Sequence, residues 1–454
     1  MSALQKGSAR DTARDTALEV LMQVSGANAW SDGSLKRTIA KNELTSRDAA
    51  LASRIAYGVI QNRMLLDYYI GCYCTQRPGH LEPVILNILR IGAYQILFMD
   101  KIPHRAAVNE AVEMVKRHGR PKAAGMVNAV LRKIVTNQAD MPALPNDSTA
   151  GYLSIRYSHP KWLVQRLLGL LSEDEAEQFL QMDNEIAPTT IQTNFLKLST
   201  DELEKELHQE GVTAERHPWL AGCFLVSGTG DMEQLSSFSR GHFFVQDAAA
   251  RLVSLAAAPS PDWRVLDMCA APGGKSFGLA VDMGDRGDIL SCDVYPHKLK
   301  LMDRSAQRLG IASVRTALAD GREFHASWEK QADLVVADVP CSGLGIIRKK
   351  PDMRYKKADE LTGLPEIQRQ ILSNASRYVR PGGVLIYSTC TVLPEENEAV
   401  TDAFLAQHPD FERESFELPK PIGHVDGQIT LWPQRHGTDG FYICRMRRKT
   451  EETA

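Results

Sequence analysis

Residues 264–275 read R-V-L-D-M-C-A-A-P-G-G-K, and this stretch decides the fold of the C-terminal half of the chain. A short apolar run, typical of a buried parallel strand, gives way abruptly to small residues and two glycines. A helical pattern, Ser276 to Val281, follows. Gly273 and Gly274 would let a ligand approach the backbone and meet N–H groups at a helix N-terminus. The stretch predicts the start of a nucleotide-type binding unit, although it lacks the G-x-G-x-x-G spacing of dinucleotide binders.

Alternating strand and helix patterns continue this unit to about residue 448. Strands are predicted at Val265–Met268, Asp288–Val294, Val314–Ala319, Leu334–Val339 and Val384–Thr389. Helical patterns separate them, notably Leu364 to Val379. Repeated βα units imply a mostly parallel sheet covered on both faces. Ile429–Trp432 and Phe441–Met446 alternate like an antiparallel pair at the sheet edge. We therefore predict an α/β, Rossmann-like domain with a mixed sheet at residues 241–448.

Two further domains are predicted before this one. Residues 1–140 carry apolar side chains at three- and four-residue spacing, which predicts an all-helical bundle. Residues 138–149 are rich in Pro, Asn, Asp and Ser and are interpreted as a linker. Residues 150–240 predict a small α/β module, with a strand from Ile191 to Leu198 and a charged helix from Asp201 to Glu210.

Composition limits the classes of function. The chain has 454 residues, 43% of them hydrophobic and 24% charged, as in ordinary globular proteins. Its net charge of −3 argues against a globally basic nucleic-acid binder, so a polyanion would have to be held by local patches. The sequence has neither a long apolar span nor an N-terminal apolar signal core. We expect a cytoplasmic protein without a membrane partner.

The eight cysteines are scattered, which argues against a disulfide framework, and the absence of C-x-x-C argues against a metal site. Two of them follow predicted strands directly, Cys341 in P-C-S-G and Cys390 in S-T-C-T. Both are turn sequences, so these thiols are expected at one edge of the sheet. In a reducing compartment, two cysteines placed in this way indicate catalysis rather than a disulfide. The other cysteines fit the simpler interpretation as small core residues.

Aspartates mark the carboxyl ends of successive predicted strands: Asp267, Asp293, Asp320 and Asp338. Ligands of open α/β sheets bind at that edge. Asp293 follows the glycine-rich loop by about twenty residues, the spacing of a ribose-binding acid. Asp320 is placed to meet an adenine amino group. A helix cap would explain one such aspartate, but the repetition favours a ligand site.

The motifs D-M-C-A-A-P-G-G-K, D-V-P-C-S-G, Y-S-T-C-T-V-L-P-E-E-N-E and D-G-F-Y-I-C-R-M resemble those of the NOL1/NOP2/Sun family. Its members are S-adenosylmethionine-dependent RNA cytosine-5 methyltransferases. In the first domain, S-R-D-A-A-L-A-S-R-I-A-Y-G-V-I and L-R-I-G-A-Y-Q-I-L resemble the NusB-like RNA-binding fold. A NusB-like bundle ahead of the catalytic domain is similar to the bacterial members that methylate 16S rRNA.

The resemblance implies a role for each site residue. Cys390 would be the nucleophile, Cys341 would help to resolve the covalent adduct, and Asp338 would hydrogen-bond the cytosine. Lys275 would lower a thiol pKa or orient Asp338. S-adenosylmethionine is the implied cofactor, bound by Cys269, Ala270, Ala271, Pro272, Gly273, Gly274, Lys275, Asp293, Asp320 and Asp338. Cys269 would then be a wall of the cofactor pocket rather than the nucleophile.

The implied partner is 16S rRNA or a partly assembled small subunit, bound by a monomer, with no DNA partner. The basic run R-K-K-P-D-M-R-Y-K-K at 348–357 is predicted to bind phosphates, with Tyr355 stacking on a base. A tRNA-directed enzyme and a non-catalytic NusB-like RNA-binding factor are the alternatives. The N-terminal bundle argues against the first and the two cysteines against the second. A DNA cytosine methyltransferase would be expected to use the Pro-Cys thiol as nucleophile, without the second cysteine.

Overall fold

The computed structural model describes residues 12–26 and 31–450. The chain divides into two compact units. The first runs to Glu185 and also takes in Ile347–Ala358, and the second comprises Ile186–Ile346 and the chain from Asp359 onward. The domain boundaries 1–140, 150–240 and 241–448 remain predictions. Within the described part of the chain, every helix is too short or too polar to cross a membrane.

In its described residues the first unit is helical, as predicted for the chain up to residue 140. Its helices are α1 (Thr12–Gly26), α2 (Ser31–Lys41), α3 (Ser46–Gln61), α4 (Arg63–Tyr73), α5 (Pro83–Phe98), α6 (His104–Arg117), α7 (Ala124–Thr136), α8 (Thr149–Tyr157), α9 (Lys161–Leu168) and α10 (Glu173–Met182). Helix α5 is buried continuously from Ile85 to Ile96, because its sequence is apolar on most faces, and the amphipathic helices pack around it. Thr45 caps α3 by accepting a hydrogen bond from the Asp48 N–H.

The segment Ile347–Ala358, here called the strap, is part of the first unit and contains a 3₁₀ turn at Pro351–Tyr355. Its Arg354 is fully buried. The guanidinium donates to the carbonyls of Gln61 (3.0 Å), Tyr157 (3.2 Å) and Asp183 (3.1 Å), to Oδ1 of Asn184 (2.6 Å) and to the carbonyl of Pro351 (3.1 Å). The arginine therefore fastens the strap to the helical unit.

The strap corrects one sequence expectation. The Tyr355 hydroxyl donates to the Ile60 carbonyl at 2.8 Å, and the Arg63 guanidinium lies 3.5 Å from the centre of its ring. Because the ring face is covered and Arg354 is buried, the predictions that Tyr355 stacks on a base and that Arg354 binds phosphate are wrong. Lys350 and Lys357 of the basic run 348–357 are exposed. Phosphate binding by these two lysines stays a prediction.

The second unit begins with a four-stranded antiparallel sheet in the order β2-β3-β1-β4. Its elements are β1 (Thr189–Thr193), α11 (Thr200–Gln209), β2 (Thr213–Arg216), β3 (Cys223–Ser227), α12 (Ser236–Ser239) and β4 (Phe243–Val245). Strand β1 ends well before the predicted Leu198. The reason is Asn194, whose amide donates to the carbonyls of Gly241 and Leu309 at 2.8 Å and whose Oδ1 accepts from the Leu196 N–H. These bonds turn the chain out of the strand.

The larger sheet has the order β10-β14-β9-β8-β5-β6-β7, with β13 also paired to β14. The elements of this part of the chain are α13 (Ala248–Ala257), β5 (Arg264–Asp267), α14 (Gly274–Asp282), β6 (Asp288–Asp293), α15 (Pro296–Leu309), β7 (Val314–Leu318), β8 (Ala332–Asp338), α16 (Leu364–Tyr378), β9 (Val379–Thr389), α17 (Glu398–Gln407), β10 (Phe411–Arg413), β11 (Phe416–Glu417), β12 (His424–Val425), β13 (Gln428–Leu431), α18 (Pro433–His436) and β14 (Phe441–Arg448). Strands β9, β8, β5, β6 and β7 are parallel neighbours, and β14 runs antiparallel to β9.

This mixed, mostly parallel sheet confirms the predicted fold class. Residues Leu334 to Ala337 of β8 are buried, as expected for a parallel strand covered on both faces. The predicted antiparallel pair is β13 with β14, but β14 also continues the main sheet through β9. The parallel order brings the carboxyl ends of β5, β6, β7, β8 and β9 to one edge, and the predicted site residues lie at or just after these strand ends.

Candidate active site

The loop between β5 and α14 is shaped by its small residues. The Ala270 N–H donates to the Cys292 carbonyl at 2.8 Å, which ties the loop to the end of β6. Gly273 has φ +104°, and a Cβ there would lie 2.6 Å from the Phe277 ring. Only glycine fits this backbone position and this space. At Gly274 a Cβ would make ordinary contacts at 3.7 Å, so that glycine is not sterically required.

Asp267, the last residue of β5, points into the protein rather than towards a ligand. Its side chain is fully buried, and its Oδ2 accepts a hydrogen bond from Ser276 Oγ at 2.7 Å. Burial raises the pKa of Asp267 to about 6, because the hydrogen bond only partly offsets the loss of water. The carboxyl therefore anchors the first turn of α14 beneath the loop.

Asp293 and Asp320 lie at the same edge with different partners. Asp293 Oδ1 accepts from the Tyr295 N–H at 2.9 Å, and its Oδ2 makes no hydrogen bond within the described chain. Leu318, which pairs in register with Asp293, is exposed, as are Val294 and Tyr295. Both oxygens of Asp320 accept from the Arg322 guanidinium, which lowers the pKa of Asp320.

Lys275 and Asp338 form an ion pair next to the thiols. Lys275 Nζ donates to Asp338 Oδ2 at 2.6 Å, and Ser388 Oγ donates to Oδ1 at 2.7 Å. Ser388 is opposite Asp338 in the β8–β9 ladder, so the sheet register fixes this contact. Burial acts to lower the pKa of Lys275, but the attraction of Asp338, with smaller contributions that include Cys390, raises it. The ammonium therefore stays charged.

Cys341 and Cys390 come together at the ends of β8 and β9, with their sulfur atoms 3.2 Å apart. Both are free thiols and partly buried. The hydrogen bond with Cys390, followed by burial, raises the pKa of Cys341 well above its ordinary value. Two thiolates at this separation would repel strongly, so the pair favours a state in which one sulfur keeps its proton.

Backbone contacts hold the two thiol loops in register. The Gly345 N–H donates to the Cys390 carbonyl at 2.9 Å, and the Gly440 N–H donates to the Gly345 carbonyl at 2.8 Å. A Cβ on Gly345 would lie 2.0 Å from the Gly440 carbonyl oxygen, so the chains cross where no side chain fits. Ser342 Oγ also donates to Thr391 Oγ1 at 2.8 Å.

The structure brings the sequence-predicted residues together, apart from Asp267, whose side chain turns inward. Cys292 and Cys444 are buried core residues. Burial and nearby carboxylates raise the pKa of Cys269 well above its ordinary value, which makes it a poor nucleophile. Sequence reasoning gave no role to Ser388, Gln368 or Glu396. The sequence contains the motif P-E-E-N-E, but nothing in its spacing indicated that Glu396 accepts a hydrogen bond from the loop that follows Cys341.

A cavity of about 320 Å³ lies at the opposite, amino-terminal edge of the same strands. Arg264, Asp288, Arg315 and Trp328 are among its lining residues. Arg315 is paired with Asp288 at 2.6 Å, and the cavity contains neither of the two thiols nor the Lys275–Asp338 pair. The predicted site residues therefore lie away from this cavity.

Comparison with known families matches three segments of the chain. The family described as 16S rRNA methyltransferase RsmB/F matches residues 254–447. The NusB family matches residues 11–136, and the family described as Methyltr_RsmF/B-like, ferredoxin-like domain matches residues 159–233.

Similar proteins extend over nearly the whole chain. A Bacillus subtilis (strain 168) protein named Probable ribosomal RNA small subunit methyltransferase B is 37% identical, covering 97% of this chain and 99% of its own. The Ribosomal RNA small subunit methyltransferase B of Erwinia tasmaniensis is 31% identical, over 90% of this chain and 92% of its own. The crystal structure of PH0851 superposes with a TM-score of 0.80 at 28% identity, covering 97% of this chain and 99% of that one.

Proposed function

Because this chain belongs to the 16S rRNA methyltransferase RsmB/F family, we propose that it methylates carbon 5 of a cytosine in 16S rRNA through a covalent bond between Cys390 and the base. One observation carries the proposal: two thiols lie 3.2 Å apart beside a lysine–aspartate ion pair. Methylation of an oxygen or an exocyclic nitrogen needs no sulfur nucleophile. Carbon 5 of cytosine is a poor nucleophile, and a thiolate added at carbon 6 activates it.

The cofactor is S-adenosylmethionine, which when bound supplies a methyl group carried on a positively charged sulfur. The residues of the carboxyl edge fit it. Asp293 Oδ2 is open to accept from ribose hydroxyls, and exposed Val294 and Leu318 offer an apolar surface for adenine. Gly273 allows the tight turn of the loop Cys269–Lys275, because a side chain there would collide with Phe277 beneath the loop.

Asp320 fits the cofactor less simply than Asp293. Its carboxylate already accepts from Arg322, and an adenine amino group would have to share one of the two oxygens. A carboxylate oxygen can accept two hydrogen bonds, so the proposed contact is compatible with the arginine. Arg322 would then orient the carboxylate towards the base.

The first half of the reaction requires Cys390 to lose its proton. Its sulfur then forms a bond to carbon 6, and the electrons of the carbon 5–carbon 6 double bond shift onto the ring. Negative charge develops at the ring nitrogen, which takes up the proton that Cys390 has lost. The resulting N–H donates to the carboxylate of Asp338, which Lys275 and Ser388 hold in place. Carbon 5 becomes nucleophilic and takes the methyl group.

The second half releases the methylated base. Carbon 5 now carries a methyl group and a proton, and the proton must leave before the double bond can re-form. Cys341 passes its own proton to the departing Cys390 sulfur, 3.2 Å away, and accepts the proton from carbon 5. The carbon 6–sulfur bond breaks as the double bond re-forms, the ring nitrogen releases its proton to solvent, and both cysteines end as thiols.

Trapping the adduct tests these roles. With cofactor and radiolabelled 16S rRNA, Cys341→Ala should accumulate a protein–RNA band on a denaturing gel, because addition proceeds and release does not. Cys390→Ala should give no band. The reverse pattern would overturn the assignment of the two cysteines.

A second experiment identifies the substrate. Bisulfite mapping of 16S rRNA from a strain that lacks this protein should show the loss of one methylated cytosine, restored by the intact gene and not by Cys390→Ala. Loss at a tRNA position, with 16S rRNA unchanged, would transfer the activity to tRNA. Naked rRNA and partly assembled subunits can then be compared as substrates in vitro.

A further inference from the structure

A buried carboxylate stands behind the thiol pair. Glu396, in the loop between β9 and α17, is 1% exposed. Its Oε2 accepts from the Ser342 N–H at 2.8 Å and from Gln368 Nε2 at 2.9 Å. Its Oε1 has no hydrogen-bond partner, and no lysine, arginine or histidine of the described chain pairs with it. A buried carboxylate without a cation is unfavourable, so its place beside the site calls for a function.

The position of Glu396 distinguishes the two thiols. Ser342, whose N–H donates to the Glu396 carboxylate, follows Cys341 directly in the chain. On the other side, the ammonium of Lys275 is close enough to Cys390 to be affected by its charge. Within the described chain, Cys341 therefore has an unpaired carboxylate behind its loop, whereas Cys390 follows Ser388, which donates to the Lys275–Asp338 ion pair.

We propose that Glu396 is a positioning residue that makes the two thiols unequal: its carboxylate, held beside the Cys341 loop, favours the protonated form of Cys341 and leaves the attack on the base to Cys390. The inference rests on the proposed function, because it explains why Cys390 rather than Cys341 would attack the base. It also gives Cys341 the proton that the release step requires. The hydrogen bond from the Ser342 N–H holds the carboxylate beside the Cys341 loop.

Other groups also face Cys341. Cys390 and Tyr387 approach from β9 and its end, and Glu396 approaches from the following loop. The Gly343 N–H, within the same loop, acts in the opposite direction and favours the thiolate. Of these groups only Glu396 is a carboxylate, so its replacement by a neutral side chain is the clearest perturbation.

The test measures the ionisation of Cys341 without RNA or cofactor. In a Cys390→Ser background, the rate of alkylation of Cys341 by iodoacetamide is followed against pH by peptide mass spectrometry. Adding Glu396→Gln keeps the shape and an acceptor for Ser342 but removes the charge. The alkylation midpoint is expected to fall by about one pH unit, which makes labelling about tenfold faster below the midpoint.

Three further variants make the result specific. Glu395→Gln removes the same charge one residue away and should leave the midpoint of Cys341 unchanged. Glu396→Met, similar in volume, provides a second neutral variant in case Gln is poorly folded, and Glu396→Asp should retain most of the high midpoint. A midpoint within 0.3 unit of the Cys390→Ser parent, in whichever neutral variant folds, overturns the inference.

The outcome separates this inference from the proposed function. If no covalent adduct forms with cytosine but the midpoint falls, the charge asymmetry stands and the cytosine chemistry fails. If the adduct forms in Cys341→Ala and the midpoint does not move, the cytosine chemistry stands and Glu396 has no such role.

Discussion

Replacing Arg354 by Ala should release the strap from the helical unit. The guanidinium is fully buried and donates to four acceptors outside the strap, at 2.6 to 3.2 Å. Alanine removes every one of these donors. The acceptors on Gln61, Tyr157 and Asp183 are backbone carbonyls, and they would lose a partner in a place that water reaches poorly.

The expected cost follows from these contacts. A hydrogen bond from a charged donor contributes about 1.5–3 kcal/mol, but the burial of the charge offsets part of the sum. Leaving buried neutral acceptors without a donor costs about 1–3 kcal/mol each, and after this offset we expect a net cost of about 3–5 kcal/mol for the substitution. Since every 1.4 kcal/mol is about tenfold, local opening of the strap should become about a hundred to a few thousand times more frequent.

Amide hydrogen exchange measures this opening directly. The Met353 and Lys356 N–H groups donate within the strap, to Lys350 and Met353, so a peptide covering 347–358 reports its order. Arg354→Lys should exchange nearly as fast as Arg354→Ala, because one ammonium has three donors and cannot reach acceptors spread around a planar guanidinium.

Lys350→Ala is the matched control, since it removes an exposed positive charge from the same segment. It should leave exchange within about threefold of the parent, as expected for a surface substitution. If Arg354→Ala exchanges no faster than this control, the strap is held by something other than its buried arginine, and the reasoning is refuted.

Two further substitutions test the loop after β5. At Gly273 φ is +104°, and a Cβ would meet Phe277 at 2.6 Å. Gly273→Ala should therefore lower the free energy of unfolding by about 1–3 kcal/mol and weaken the binding of S-adenosylmethionine, measured by calorimetry, at least tenfold. Binding equal to that of the parent would contradict this. Burial raises the pKa of Asp267 to about 6, so the folded state favours the protonated carboxyl. The stabilisation from this group is therefore fully present below about pH 4 and is lost as the pH rises through 6. The free energy of unfolding of Asp267→Asn, measured in urea relative to the parent, should therefore rise by about 3 kcal/mol between pH 4 and pH 7. If the difference between variant and parent is the same at both pH values, the pKa of Asp267 is not shifted.

Much of the fold could be predicted because its signals are local. Strand β5, the glycine turn and helix α14 each depend on neighbouring residues, and the predicted strand ends agree with the structure within a few positions. The convergence of Cys341, Cys390 and Asp338 followed from the parallel order of the strands. The end of β1 could not be predicted, because it depends on Asn194 reaching Leu309, 115 residues away.

The remaining errors also involve long-range contacts. Composition alone makes 348–357 a solvent-exposed basic run, and only the tertiary structure shows that Arg354 lies inside the helical unit. Glu396 is similar: the sequence shows a carboxylate after the nucleophile motif, but not that its partner is the backbone of Ser342, 54 residues earlier. Arg322, two residues from Asp320, was a local signal that could have been used.

The buried arginine also delays the completion of the first unit during protein synthesis. Arg354 follows its partner Asn184 by 170 residues, so every helix of the first unit leaves the ribosome before the group that completes it. At about 5–20 residues per second, the wait is roughly 10–30 s. During that interval the carbonyls of Gln61, Tyr157 and Asp183 lack their arginine partner, and the surface that will receive the strap is open. The nascent chain is therefore most exposed to chaperones and proteases while the second unit is still being translated.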